Sequence, residues 1–599
     1  MKEELQAEFN KFMENMSCLS LMKISYTGRC EMARKLPHCN RYTNIINYFQ
    51  LMYCDFRVRN NKNEIYMMGL YSLIYMLLLC VVFLSINEYY LPALKIAAIR
   101  CRLNEYLAGV ILVGVANSTN DVLLSLSPVR AGSPTLNIAM STALTSICLS
   151  GGAICFIMPF KMSGSNVFRD FLFVIFLLEL IRLFLDITAL TNWIKAAVIL
   201  SIYPIYLAVN IFDFILTRHN IRKLRREIHF LRNEPNSPQM EKKMYDKVIT
   251  LTDLEVDDDV QLLRMKTRYG IFRAGVYVTP KPLVEPKEVN AVSNRKVLHS
   301  INNPRNRFLF TEFFQELNPI DKDQWSLSGK FGRLKIILTA PVSFILRLAI
   351  PKVNYAQIKH GWSKLLNCLQ IVINPFWVLM LLETMFGSTH GTSWLITFNY
   401  EYAYWSLAVT VPLSLIVFCH SRTDIPPPYH IVFAAANIIS VITVVWVCAW
   451  EMEVIVSIIG IVFHLSPNYM IVTFNALSNA LPDMITYTRL SKKGFGKMAF
   501  GGIIGGIVFD LVSNIGTQFA QKKLDHSDMF GDFGETLYVF LLLAIWTTIS
   551  WCWIFDFHAR RSGGVFLWCL FGIFLIYVTF IELNLIHDFT EDMVIRMKS

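Results

Sequence analysis

Charge is scarce in this chain. Asp, Glu, Lys and Arg make up 17% of its 599 residues and hydrophobic residues 54%, whereas soluble globular chains carry about a quarter charged residues. A soluble fold for the bulk of the chain is thereby excluded. Lys and Arg are absent from 191–193, 387–401 and 451–467. No Arg-rich amphipathic presequence and no clear signal peptide precede the first cysteines, so the first apolar run is expected to serve as signal anchor. The acidic stretch LTDLEVDDDV, with Asp253, Glu255, Asp257, Asp258 and Asp259, lacks the turn glycine and the twelfth-position glutamate of an EF-hand. It is expected to be a solvated acidic face. The net charge of +11 sits in particular loops and is no nucleic-acid footprint.

What the chain has in abundance is long apolar runs. Twelve spans are expected, at 65–86, 107–126, 136–160, 168–190, 194–216, 364–386, 402–420, 430–450, 468–488, 498–519, 535–557 and 565–583. Each is long enough to cross a hydrocarbon core of about 30 Å. The apolar stretches 334–350 and 453–465 are expected to be interfacial or re-entrant pieces. The loop after the fifth span holds about two dozen Lys and Arg against about fifteen acids. Other connections carry Lys95, Arg100 and Arg102, then Arg489, Lys492, Lys493 and Lys497, then Arg560 and Arg561. Because Lys and Arg stay on the cytoplasmic or matrix side, both termini are expected outside and the long loop inside. The division is an outer segment 1–63, a first membrane half 64–216, the loop 217–333, a second membrane half 334–583 and a tail 584–599.

The outer segment contains Cys18, Cys30, Cys39 and Cys54. In an oxidising compartment four cysteines make two disulfides, with three possible connectivities. Asn15 begins a glycosylation sequon there. In span four, Glu179, Arg182 and Asp186 lie at i, i+3 and i+7, so Arg182 is expected to pair with both acids.

Two polar stretches inside apolar spans carry the chemistry. VANSTNDV holds Asn117 and Asp121; LSNALPDM holds Asn479 and Asp483. The i, i+4 spacing puts each amide and carboxylate on one helix face. Arg130 and Gly132 follow the first, Arg489 and Gly494 the second. Seven spans on, the second motif runs antiparallel to the first, the inverted-topology arrangement of many transporters. A carboxylate at the bilayer centre costs about 2.5–3.5 kcal/mol, which makes Asp121 and Asp483 functional candidates. Neither has a basic residue within one turn, and their neighbours are Asn, Ser, Thr and Pro. Carboxylate, amide and hydroxyl oxygens form a hard-cation shell suited to Ca²⁺ and Na⁺. Two carboxylates balance one Ca²⁺ or monovalent cations instead, and that competition is exchange. Pro482 is expected to free backbone carbonyls beside Asp483. Span ten adds Gly501, Gly502, Gly505 and Gly506 for close helix approach, a third acid, Asp510, and then Ser513 and Asn514.

At these residues the chain resembles the cation/calcium exchanger superfamily, specifically the sodium/calcium exchanger branch that includes the mitochondrial sodium/calcium/lithium exchanger. The likeness is carried by Thr473, Asn479, Asp483, Gly494, Met498–Phe500 and GGIVFD. It extends to the C-x11-C-x8-C-x14-C pattern, the AGV before the first motif, RLAIPKVNY and LNCLQIVINP. The resemblance implies ten core helices in two inverted halves, with Na⁺ and Ca²⁺ bound between the repeats (107–160 and 468–519). It also implies transport by alternating access and no enzymatic activity or cofactor. The implied cation site is Asn117, Asp121, Asn479, Asp483, Thr473 and Asp510, with Ser118, Asn120, Ser141, Thr145 and Ser513 as further oxygen donors. The first repeat departs from the family. Ser118, Thr119 and Asn120 stand where Gly-Ala-Pro is usual, and Ile111 where a Thr is usual. Asp510 stands where mitochondrial-type exchangers have Asn, matching potassium-dependent ones, so K⁺ coupling enters beside Li⁺ or H⁺.

The expected fold is an all-α polytopic membrane protein, an inverted-repeat transporter of two five-helix halves with additional spans, about twelve transmembrane helices in all. The expected function is Na⁺-coupled Ca²⁺ antiport, its partners inorganic cations and the lipid bilayer, with no nucleic acid. Ca²⁺/H⁺ or K⁺-dependent exchange, or a transport-weakened regulatory role, is the second reading. An intramembrane aspartyl protease also needs two membrane carboxylates, but its Tyr-Asp and Gly-x-Gly-Asp contexts are absent around Asp121 and Asp483. The Cys-bearing outer segment and sequon suit the plasma membrane; the mitochondrial resemblance suits the inner membrane.

Overall fold

Runs of twenty or more apolar residues become helices because hydrocarbon offers the backbone no other partner. The computed structural model describes residues 18–36, 39, 42–126, 130, 134–187, 190–232, 238–258, 305–306, 308–320, 322–354, 359–387, 395–521 and 533–587. Asn15 lies outside them. Ten helices among these residues are long and apolar enough to cross a membrane. They are α1 (Asn61–Arg100), α2 (Glu105–Ser125), α3 (Thr135–Ile157), α5 (Asn192–Arg232), α6 (Lys364–Phe386), α7 (Glu401–His420), α8 (Pro428–Val462), α10 (Gly496–Ala520), α11 (Gly534–Ile554) and α12 (Arg561–Glu582). Two more polar helices occupy the remaining expected spans: α4 (Gly164–Asp186) and α9 (467–492). The chain is an all-α, multi-pass integral membrane protein.

Loop contacts show which helix ends lie together. A two-residue antiparallel ladder joins Phe160–Lys161, after α3, to His558–Ala559, after α11. At that same end Lys497 N donates to Glu105 Oε1 (3.1 Å) and Arg218 Nη2 to the Arg102 carbonyl (2.8 Å). At the opposite end Ile46 bridges to Leu395, between α6 and α7, and Glu582 of α12 accepts from Ser466 N (2.8 Å), between α8 and α9. This is the parity of helices that alternate in direction.

The motif helices α2 and α9 begin alike. Asn104 and Ser466 each stand thirteen residues before the motif Asn, and each caps its helix, accepting from Leu107 N and Tyr469 N. Each helix then widens into a π turn, Gly109–Gly114 and Ile471–Asn475, beginning eight residues before that Asn. π turns often mark functional sites in helices.

Glycine decides how α2 meets α10. A Cβ on Gly114 would lie 2.8 Å from Gly506 N, and one on Gly505 2.8 Å from Val110 Cα. The two backbones are in contact, as small-residue stripes allow.

The outer segment is pinned by disulfides Cys18–Cys39 and Cys30–Cys54, one of the three possible connectivities. It clamps α1 to α8: buried Glu64 pairs with Arg29 and accepts from Tyr53 Oη at 2.7 Å. Tyr48 Oη donates to Glu451 (2.7 Å) and Asn44 Nδ2 to the Val447 carbonyl (3.2 Å).

Two expectations need correction. Stretch 453–465 is no separate re-entrant piece, because α8 runs unbroken to Val462; no helix breaker interrupts its Ile/Val-rich sequence. Arg182 forms an ion pair with Glu535 of α11 (3.7 Å), while Glu179 accepts from Tyr538 Oη, also of α11 (2.5 Å); the packing of α4 against α11 supplies partners outside its own helix. Pro482 sits inside α9, which stays helical from Ala476 to Lys492 around it; having no N–H, it leaves the carbonyl four residues back without its helical donor. Stretch 334–350 forms most of a helix, Lys330–Ala349, with Phe331, Leu338 and Ile345 exposed.

Candidate cation site between the two halves

Asp121, Asp483 and Asp510 come from α2, α9 and α10, and all three are buried. They lie within electrostatic reach of one another. The first and last stand 389 positions apart in the chain (510 − 121), so only the packing of α2 against α9 and α10 assembles them. Among the described residues no three acids, histidines or cysteines stand close enough to form a ready-made metal cage. A bound cation must therefore draw on neutral oxygens as well.

Those oxygens are present and partly unclaimed. Asn479 is buried with neither amide atom hydrogen-bonded, and Asn120 Oδ1 is also unpartnered. A buried polar atom without a partner is rare and costs about 1–3 kcal/mol, which a bound cation recovers at the oxygens. A cleft of about 230 Å³ is lined by Tyr90 of α1, Asn117 and Asn120 of α2, Val441 of α8, and Asp483 and Thr486 of α9. Asn514 Nδ2 donates to Asp510 (2.6 Å), and its own oxygen is unpartnered.

Other candidates have protein partners. Asn117 Oδ1 accepts from Tyr90 Oη (2.9 Å). Ser118 Oγ donates to the Gly506 carbonyl (2.9 Å), stitching α2 to α10. Thr473 Oγ1 donates to the Tyr469 carbonyl (2.6 Å), Ser141 Oγ to Ile138 O (2.9 Å) and Thr145 Oγ1 to Ser141 O (2.7 Å). These hydroxyls spend their proton locally and keep oxygen lone pairs. Ser513 is half-buried one turn beyond Asp510.

Sequence reasoning missed the most conspicuous neighbour. Arg130 makes a bidentate pair with Glu453 of α8, Nε to Oε1 at 2.9 Å and Nη2 to Oε2 at 3.0 Å. The two side chains are 2% and 4% exposed. Arg130 is also an electrostatic neighbour of Asp121 and Asp510. Glu451 and Glu453 fall just beyond the eighth expected span, 430–450. Two acids inside one continuous apolar helix were the available signal. Tyr90 carries no sequence signal beyond being aromatic.

A transporter with a cation site between two halves matches what comparison with known proteins finds. The sequence profile of the sodium/calcium exchanger protein family matches in two segments, residues 71–212 and 432–580. The first begins in α1 and ends in α5; the second begins in α8 and ends in α12, leaving α6 and α7 between them. The mitochondrial sodium/calcium exchanger protein of Rattus norvegicus is 22% identical over 596 residues, 95% of this chain and 90% of that protein. That of Gallus gallus is 30% identical over 204 residues, 33% of each chain. The putative sodium/calcium exchanger 6 of Caenorhabditis elegans is 23% identical over 524 residues, covering 84% and 81%. No solved structure matches. Over those two segments the chain is similar to the sodium/calcium exchanger family, whose members are transporters and not enzymes. Within it, the chain is similar to the mitochondrial sodium/calcium exchanger proteins.

Proposed function

We propose that this protein is a Na⁺-coupled Ca²⁺ antiporter that works by alternating access and contributes to calcium homeostasis. The observation that carries the reading is the meeting of Asp121 and Asp483, on antiparallel helices with matching caps and π turns, beside the unpartnered amide of Asn479. Asp121 and Asp483 neutralise one Ca²⁺, or bind Na⁺ in its place. Asn117, Asn479 and Thr473 supply neutral oxygens. The relatives named as sodium/calcium exchangers support the choice of ions.

Asp510 favours a second reading. Three site carboxylates exceed the charge of one Ca²⁺ by one, and a K⁺ or H⁺ at Asp510 would complete the balance. Ca²⁺ flux in proteoliposomes under separate Na⁺, Li⁺, K⁺ and pH gradients tests both. The primary reading expects flux driven by Na⁺ alone. Flux that requires K⁺, or that follows only the pH gradient, replaces it with the second. No Ca²⁺ movement under any gradient refutes both and leaves a non-transporting regulatory role.

A further inference from the structure

A second, apolar pocket, larger than the ion cleft, lies among α3, α10, α11 and α12 and shares no lining residue with that cleft. Its interior is apolar. Ile147, Phe171, Ile503 and Leu567 line it, together with the free thiols of Cys155 and Cys552. The one hydroxyl there, Thr548, already donates to the Ala544 carbonyl (2.6 Å). Among the described residues, no lining side chain leaves a buried nitrogen or oxygen without a partner. The wall has room to spare: a Cβ on buried Gly151 would meet nothing nearer than Ser146 O at 3.9 Å. An occupant of this interior needs bulk and no hydrogen bonds, because the lining offers dispersion contacts and no free polar group.

One end of the cavity is different. His558 and Arg560 line it. Lys161 is the ladder partner of His558, and exposed Arg561 opens α12. Asp556 is the single acid in this loop against His558, Arg560 and Arg561. The Arg560 guanidinium lies 4.6 Å above the Phe555 ring, which holds the charge at the cavity rim. This end belongs to the basic face of the protein. Hydrocarbon inside and cationic groups at the rim describe an amphiphile with an anionic head, the pattern by which basic pockets between membrane helices hold acidic lipids.

We propose that this cavity binds one acyl chain of an anionic phospholipid, with the headgroup phosphate held by Arg560 and His558. The lipid would lie against α3 and α10, the helices that also carry Ser141, Thr145 and Asp510, on a wall separate from the ion cleft. The inference does not depend on which ions are exchanged.

Native mass spectrometry of the detergent-purified full chain tests it, with phosphatidylglycerol, phosphatidylcholine of the same chains, and free palmitate as probes. One phosphatidylglycerol is expected per chain, bound about tenfold or more tighter than phosphatidylcholine. His558→Gln with Arg560→Gln should erase that preference. Gly151→Leu and, from the opposite wall, Cys552→Phe should each weaken binding of both phospholipids by a similar factor while leaving the elution profile unchanged. Equal binding to wild type and all variants would mean surface lipid only and overturn the proposal. Palmitate binding as tightly as phosphatidylglycerol would overturn the phospholipid assignment in favour of a fatty acid. Should one filling variant misfold, the other and the rim variant still decide the result.

Discussion

The two motif helices share one plan and differ in how the protein uses it. In α2 the motif is partly fastened, with Asn117 Nδ2 and Asn120 Oδ1 left unpartnered. Tyr90 holds Asn117, Ser118 is bonded to the Gly506 carbonyl, and Asp121 lies in the field of Arg130. In α9 the motif is open: Asn479 has no partner at either amide atom and Asp483 lines the cleft. The first motif is also the one whose sequence departs from the family. Ser118 and Asn120 bring extra hydrogen-bonding capacity where Gly and Pro are usual, and Ser118 spends it on packing against α10. On the proposed reading, the first motif combines cation binding with assembly of the halves, while the second leaves the amide of Asn479 free for the ion.

The sharpest way to break this comparison is to neutralise each aspartate. Asp483→Asn is expected to cut Na⁺-driven Ca²⁺ flux roughly a hundredfold, the loss of about 3 kcal/mol of charged interaction, at unchanged expression. Asp121→Asn should lose less, since Arg130 already shares its field. Equal losses in the proteoliposome assay would remove the asymmetry.

Next in size is the buried ion pair. Glu453→Gln strands Arg130 and should lower stability by about 3–5 kcal/mol, whereas Arg130→Met with Glu453→Leu should recover most of it. Thermal unfolding in detergent reads both. A double variant as unstable as the single one would show that the pair itself, and not the stranded charge, sustains the fold.

Helix contact comes third. Gly114→Ala pushes a methyl into backbone at Gly506 and is expected to cost about 1–3 kcal/mol, while Gly572→Ala on α12, where a Cβ meets nothing within 4 Å, should cost almost nothing. Their difference in melting temperature measures the packing role of the first motif.

The smallest effect separates fastening from ion binding. Tyr90→Phe removes one neutral hydrogen bond worth about 1 kcal/mol. It frees Asn117 to resemble Asn479 and should change apparent Ca²⁺ affinity about fivefold with little change in maximal flux. A collapse of maximal flux would place Tyr90 in the ion path itself.

Much of this molecule is legible in its amino-acid sequence alone. Apolar run length locates most of the helices to within a few residues, because a bilayer of fixed thickness sets their length and forbids unpaired backbone, although α1, α5 and α8 continue to Arg100, Arg232 and Val462, well past their expected ends. The i, i+4 spacing of Asn and Asp, the parity of crossings and the Lys/Arg-poor loops follow from the same local rules. The candidate carboxylates are legible too, since acids are rare in such runs.

What only the tertiary structure decided is who partners whom. Arg182 had acids on its own helix and found Glu535 on another. Glu453 found Arg130, more than three hundred residues away, and four cysteines with three possible pairings took one. Asn117 and Asn479, alike in sequence, ended one held and one open. The reason is physical. Spacing along a chain fixes faces and directions, which depend on the backbone's own period. A buried charge or amide is satisfied by whatever the packing of distant helices brings within about 3 Å, and no local pattern contains that distance.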